Sequence, residues 1–255
     1  MSFRWVVLGV LLIAAFLLGR WSARPPEFLR GASPGAQPEA LEPGRMQPRG
    51  LGIESPDYVW NEAEVEALEF EGDIASGEQL FAEQCESCHS AEGAGQLDGS
   101  VPKIAAQHET VVVKQLADIL GGRRDSQASF QALAGLDTPE KIADVGAYVA
   151  SLPVRLASGK GPGDPAALEL GETLHQRDCS PCHRRFGQGM GERYYPKIGG
   201  QHYNYLITQL RDIAVGRRRN ALPTMMAIVR SYSDEELGAV ADYLSRLDWP
   251  ETELE

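Results

Sequence analysis

Two pentapeptides hold the reactive side chains of this chain: Cys85-Glu86-Ser87-Cys88-His89 and, ninety-four residues later, Cys179-Ser180-Pro181-Cys182-His183. Together they contain all four cysteines. Thiols with two residues between them lie one helical turn from each other, which spans the two vinyl groups of a haem, and they add across those vinyls as thioethers. A histidine directly after the second cysteine brings its imidazole to one face of the iron. C-x-x-C also serves in zinc sites and in thiol–disulfide exchange. A zinc site wants four ligands grouped together, and an exchange motif wants a strand before the helix rather than a histidine after it. Duplication with no cysteine left over favours two covalently attached haem c groups. Cys85, Cys88, Cys179 and Cys182 are the attachment residues, with His89 and His183 as iron ligands.

The attachment sites must be carried by elements, and those elements repeat. An offset of 94 aligns Gly77 with Gly171, Pro102-Lys103-Ile104 with Pro196-Lys197-Ile198, and Gln107-His108 with Gln201-His202. It continues through Gln115-Leu116 and Gln209-Leu210 to Gly122-Arg123-Arg124 and Gly216-Arg217-Arg218. Beyond that the offset is 95, so that Thr138 meets Ser233 and Tyr148 meets Tyr243. This is a tandem duplication of one fold. In each copy a first helix near Ile74–Cys85 or Ala166–Cys179 delivers the haem motif. A middle helix runs near His108–Leu120 or His202–Ala214, and a last helix follows Thr138 or Ser233. Ile142, Val145, Gly146 and Val149 keep helical spacing, as do Leu237, Val240, Ala241 and Leu244. Ser233-Asp234-Glu235-Glu236 is a capping box, and Thr138-Pro139 places proline at the first helical position. Gly77 and Gly171 predict a close approach of first and last helices, packed by Tyr148 and Tyr243. No alternating strand pattern is present, and the fold class is all-α.

The chain has 255 residues, and the duplication divides it into units of residues 61–155 and 156–255. With 43% hydrophobic residues, neither unit has much apolar material, and a buried haem would supply what is missing. Ahead of them lie an apolar stretch from Trp5 to Gly19 and then Arg20-Trp21. Its length falls between the core of a signal peptide and a full span of about twenty residues. Trp5 and Trp21 would sit at the two interfaces, Arg4 and Arg20 would snorkel outward, and no A-x-A-like cleavage site follows. These flanks predict an uncleaved transmembrane anchor over residues 1–23. With covalent haem attachment, the expected location is the bacterial inner membrane, haem domains facing the periplasm. Residues 24–60, with seven prolines from Pro25 to Pro56, read as an extended, flexible linker.

Charge is uneven. Residues 61–152 hold 5 Lys and Arg against 17 Asp and Glu, a balance of −12, whereas residues 153–255 hold 13 against 14, a balance of −1. Such a charge dipole can orient the molecule against a basic redox partner. The acidic run Glu62, Glu64, Glu66, Glu69, Glu71 and Asp73 is equally readable as a solvated helix face. The absence of a basic stripe disfavours nucleic acid.

Two domains, each reading C-x-x-C-H, then P-K-I-x-x-Q-H, then Q-L and G-R-R, resemble the tandem class I cytochromes of the dihaem cytochrome c4 family over about residues 70–248. The resemblance implies a periplasmic carrier of electrons between quinol-oxidising complexes and a terminal oxidase or reductase. It also implies that Pro102 and Pro196 offer their carbonyls to the ring N–H of the haem histidines, fixing the tautomer. Methionine is the usual sixth ligand of such haems. In the second unit Met225 stands eight residues before the Ser233 cap, where the family places that ligand, with Met226 the alternative. The same count from Thr138 in the first unit lands on Phe130, and no methionine lies between Cys88 and Met190. The first iron is then five-coordinate, holds water, or recruits His108, Lys103 or Lys114. His202, at the position matching His108 in the unit that has its methionine, favours a structural role for both. His175 reads as a surface or packing residue. Arg123-Arg124 and Arg217-Arg218-Arg219 are candidates for haem propionates or for solvated loops.

The reading that covers all these features is an electron carrier with redox proteins as partners, without catalysis or a small-molecule substrate of its own. Two alternatives stand beside it: the electron-transfer subunit of a periplasmic dehydrogenase, and a haem-based ligand-binding or sensor protein using an open site at the first haem.

Overall fold

The computed structural model describes residues 62–124, 133–154 and 158–248, and within them every element is helical. The first unit contains α1 (Glu62–Glu69), α2 (Ile74–Gln84), α3 (Glu86–His89), α4 (Glu109–Leu120), a 3-10 turn at Leu133–Gly135 and α5 (Pro139–Ser151). The second contains α6 (Pro165–Leu174), a π turn at His175–Cys179, α7 (Ser180–His183), a 3-10 turn at Gly191–Arg193, α8 (Tyr203–Ala214), α9 (Pro223–Arg230) and α10 (Asp234–Ser245).

Side-chain caps start the helices that carry or cover the haem motifs. Asp73 accepts a hydrogen bond from the Ser76 amide at the head of α2, and Asp164 does the same for the Ala167 amide at the head of α6. Thr138 caps α5, and the full capping box of Ser233 and Glu236 opens α10. The last helix of each unit crosses the first at a glycine. A Cβ on Gly77 would lie 2.0 Å from the Asp144 carbonyl oxygen, and one on Gly171 would lie 2.2 Å from that of Ala239. The close crossing predicted from these glycines is present, with Tyr148 and Tyr243 at the contact. Each unit has its own apolar core. Phe81, Leu120, Ile142, Val145 and Val149 fill the first, and Leu174, Leu206, Leu210, Val240 and Leu244 the second. Each such buried side chain contributes about 1.5–3 kcal/mol.

The acidic segment before Asp73 forms α1, with Ala67 fully buried and Glu66 and Glu69 exposed, as expected of a solvated helix face. The periodicity did not reveal α9, a two-turn helix initiated by Pro223 and bearing Met225 and Met226.

The expected inner-membrane location is corrected: among the described residues, no helix is long and apolar enough to cross a membrane. Residues 1–23 and the linker of residues 24–60 lie outside the described residues. The physical weakness of the anchor is its length. Fifteen residues from Trp5 to Gly19 would reach only about 22 Å even if wholly helical, short of a hydrocarbon core of about 30 Å.

Candidate haem centres

In both units the haem motif begins where the first helix ends. The Cys85 amide closes the last turn of α2 on the Phe81 carbonyl, and the amides of Cys88 and His89 fold back onto the Cys85 carbonyl. The two thiols and the imidazole thus leave consecutive turns of one short helical segment. The second unit reaches the same arrangement through its π turn into α7. Burial pushes the Cys85 thiol up to about 11, with the nearby Cys88 adding to it. Burial, with Asp178 next in effect, pushes Cys179 up to about 12. Exchange enzymes depress a thiol instead, so these cysteines do not suit that chemistry. Among the described residues no three His, Cys, Asp or Glu side chains gather as a metal-ion site, which removes the zinc alternative there.

The imidazoles are pre-oriented. His89 Nδ1 donates to the Pro102 carbonyl at 2.9 Å, and His183 Nδ1 donates to that of Pro196, also at 2.9 Å. Burial lowers the pKa of both rings, while the proline carbonyls act in the opposite direction. A neutral ring with its proton held on Nδ1 leaves the Nε2 lone pair for a metal. The loop between histidine and proline is shaped by glycines at positive φ, Gly93 and Gly95 in one unit and Gly187 and Gly189 in the other. The Gly95 amide closes onto the His89 carbonyl and the Gly189 amide onto that of His183, both at 2.9 Å. A Cβ at Gly95 would come within 2.5 Å of the Pro102 oxygen that holds His89. Two thiols one turn apart and a neutral imidazole with a free Nε2 are the donor set that haem c requires, so the residues present fit that group twice.

A match to the cytochrome c family model covers residues 74–153 and again 168–248. Cytochrome c4 of Pseudomonas aeruginosa is 32% identical over 69% of this chain and 89% of its own length. The thiosulfate dehydrogenase electron acceptor of Stutzerimonas stutzeri is 28% identical over 72% of this chain and 92% of its own. Among solved structures, reduced recombinant cytochrome c4 from Pseudomonas stutzeri superimposes with a TM-score of 0.61 at 30% identity, covering 69% of this chain and all of that one. The chain belongs to the cytochrome c4 family. It is a dihaem class I cytochrome with two covalently bound haem c groups, and its role is electron transfer.

In this cytochrome c4 the Pro-Lys-Ile-x-x-Gln-His motif does more than hold the haem histidine. The Gln201 carboxamide pairs with both backbone groups of Lys103, at 2.7 and 2.9 Å, and Gln107 pairs likewise with Lys197, at 3.0 and 2.9 Å. His108 Nε2 donates to the Gln188 carbonyl at 2.8 Å, and His202 Nε2 donates to that of Ala94 at 2.9 Å. The two units therefore meet through the same surface on each side, as in a two-fold dimer. The structural role expected for His108 and His202 is clear: each ring joins one unit to the other. Lys103, expected as a possible ligand, is buried at this seam, and burial pushes it down to about 8.

The Gly-Arg-Arg sequences meet each other. Arg124 and Arg218 form an antiparallel backbone bridge. Arg124 donates to Gln115 and to Tyr205 across the seam, and Arg218 donates to Gln209 and to Gln115 across it. Asn220 reaches over to Asp118, which also accepts from Lys114 and Arg123. Lys114, another expected candidate, thus has a buried carboxylate as its partner. Single-sequence reading did not detect this interface, although the identical Gln-His pairs were its available signal. His175 is wholly buried against Tyr243, with ring centroids 5.5 Å apart, which makes it a packing residue. Met225 and Met226 are half-buried on α9 and pack into the cluster that includes Cys179 and Ile198. Phe130 lies outside the described residues.

Proposed function

We propose that this protein relays single electrons from a quinol-oxidising complex to a terminal oxidase or reductase, through haem units spanning residues 61–155 and 156–255. One haem is attached at Cys85 and Cys88 with His89 on its iron. The other is attached at Cys179 and Cys182, with His183 and Met225 as its axial pair. When bound, each haem supplies a one-electron couple at its iron. The chain's own residues hold each imidazole neutral and fixed, and they lock the two proximal loops together. The supporting observation is the paired histidine-to-proline bond, 2.9 Å in both units, on loops that the reciprocal Gln107 and Gln201 contacts join. A joint that holds both proximal loops keeps the geometry between the haems constant through repeated turnover, which suits a relay.

Stopped-flow mixing of the holoprotein with a quinol-oxidising complex, and then with an oxidase, tests this. Reduction and reoxidation at turnover rates, slowing as salt screens the acidic first unit, are expected. Failure of either half-reaction sinks the quinol-to-oxidase assignment. A second reading, the electron acceptor of a dehydrogenase acting on a substrate such as thiosulfate, is favoured by the resemblance to the thiosulfate dehydrogenase electron acceptor. Purification at moderate salt separates the two, because a stoichiometric dehydrogenase that stays bound decides for the second.

A further inference from the structure

We propose that the rim of the second haem motif, carrying Arg184, Arg185 and Arg193, docks the acidic face of a redox partner protein, and that the matched rim of the first motif repels such a face. The inference rests on the relay and the attachment sites proposed above, and it adds the charge class of the partner at one end. Residues 82–99 and 176–193 stand at matched positions, and each stretch contains its C-x-x-C-H segment. The first holds no Lys or Arg against Glu83, Glu86, Glu92 and Asp98, a balance of −4. The second holds four Arg against Asp178 and Glu192, a balance of +2. Ser90-Ala91 in one unit is Arg184-Arg185 in the other, and Gly99 is Arg193. The backbone path is common to both, since Gly95 and Gly189 close the same turn onto the histidine carbonyls at 2.9 Å. The duplication has therefore inverted the sign of this surface without moving the chain.

The structure leaves the second rim's charge at the surface. Arg177 is held by Asp178 through two bonds of 2.9 and 2.6 Å, so its charge is locally balanced. Arg184 only approaches Glu192, at 3.9 Å with the two side chains 52% and 59% exposed, and a pair so long and so solvated holds little. Arg185 is exposed, its guanidinium 5.4 Å from the centre of the Phe186 ring, and Arg193 is exposed on the same loop. Cys182 in this unit is half-buried, and Cys88 in the other is exposed. A thioether formed at such a cysteine brings one edge of the haem to the surface, so a donor or acceptor has to approach beside these charges. A basic patch at that edge steers an acidic face toward it and fixes the orientation of the encounter. Arginine suits the task because it stacks and bonds in the same contact.

The test uses the full-length holoprotein with two probes of opposite charge, an acidic plastocyanin and a basic mitochondrial-type cytochrome c. With holoprotein and plastocyanin both reduced, so that no electron moves, the amide signals of Arg184, Arg185 and Arg193 should shift at low salt and return as salt is added. Shifts confined to other residues overturn the proposal. Vesicles of anionic phospholipid that shift these amides where plastocyanin does not would assign the patch to a membrane, and overturn it too. In stopped flow, a ferrous haem gives one electron to the Cu(II) of plastocyanin, leaving ferric haem and Cu(I). Arg184→Glu combined with Arg185→Glu should slow this about tenfold, the lower end of what electrostatic steering supplies. Oxidation by the basic ferricytochrome c should be no slower in that variant, and equal slowing with both probes overturns the proposal. Lys160→Glu changes an exposed charge between the units and should alter the plastocyanin rate less than about twofold. A fall as large as that of Arg185→Glu alone would trace the effect to net charge and refute the docking surface. Failure to exchange electrons with either probe would defeat the relay reading instead, while the amide shifts still decide the docking surface.

Discussion

At matched positions, the first unit packs Phe81 of α2 against Tyr148 and the second packs His175, just after α6, against Tyr243, with ring centroids 5.2 and 5.5 Å apart. Both crossings close on a glycine, but Phe81 lies in a regular α-helix whereas His175 opens a π turn. The side chains differ in chemistry. Phe81 adds only apolar area, whereas neither His175 ring nitrogen has a hydrogen-bond partner and burial pushes its pKa down to about 4. The middle helices diverge in the same way. Lys114 sits over Asp118 in the first unit, where the second has Thr208 near Asp212, whose partner is the more exposed Arg217. A duplicated fold keeps the residues that set backbone path and varies those that set local polarity. The lesson is that the two haems share one scaffold but need not share a potential or a ligand set.

The sharpest way to break the comparison is Met225→Ala. On the proposed ligation, loss of a thioether from the second iron should lower that haem's potential by on the order of 0.1–0.3 V, within the roughly 0.8 V range that axial ligands command. The other haem should stay within a few hundredths of a volt. Potentiometric titration of both haems checks this, and an equal fall in both would abolish the asymmetry. Met226→Ala should leave both values in place.

Glycines at positive φ give the next largest effect. Gly95→Ala should cost about 3 kcal/mol or more, because left-handed strain of about 1–2 kcal/mol is added to a contact 2.5 Å from the oxygen that holds His89. Gly122→Ala, at φ 71° with nothing within 4 Å, should cost only the strain. Denaturant melts of the two variants separate conformation from contact.

His175 should make the second unit the acid-sensitive one. Its pKa falls from 6.5 in the unfolded chain to about 4 in the fold, so the folded state favours the neutral ring. The associated stability is fully present above pH 6.5 and is lost as pH drops from there toward 4. It amounts to about 3 kcal/mol at most. His175→Phe, which copies the first unit, should flatten the melting temperature over that window. A profile identical to the wild type would show that the ring does not titrate with unfolding.

The smallest effect should be the most symmetrical. Gln107→Ala and Gln201→Ala each remove two bonds to the opposite unit and should cost about 1–3 kcal/mol. Calorimetry should show the single transition broadening or splitting to the same extent in both. A clear inequality would mean that one unit depends on the other for its fold.

Much of the architecture was legible in the residues alone. Cys85-x-x-Cys88-His89 and its repeat pointed to two haem c groups, because covalent haem chemistry tolerates little variation in spacing. The Thr138 and Ser233 caps and the Gly77 and Gly171 crossings are equally local. The short helix α9 escaped because eight residues show barely two turns of periodicity. The location did not survive, because a run of fifteen apolar residues is compatible with more than one fate.

The roles of Gln107, His108, Arg124 and their repeats belong to a different category. A hydrogen bond between residues some ninety positions apart leaves no periodic trace, since its partner is chosen by how two finished domains pack. The chain's order of residues specifies a duplicated cytochrome c fold for two haems, and carries the motifs proposed to hold them. Folding alone brings the matched motifs face to face, where the backbone groups of Lys103, buried, and Lys197, part-buried, find their partners on the opposite unit.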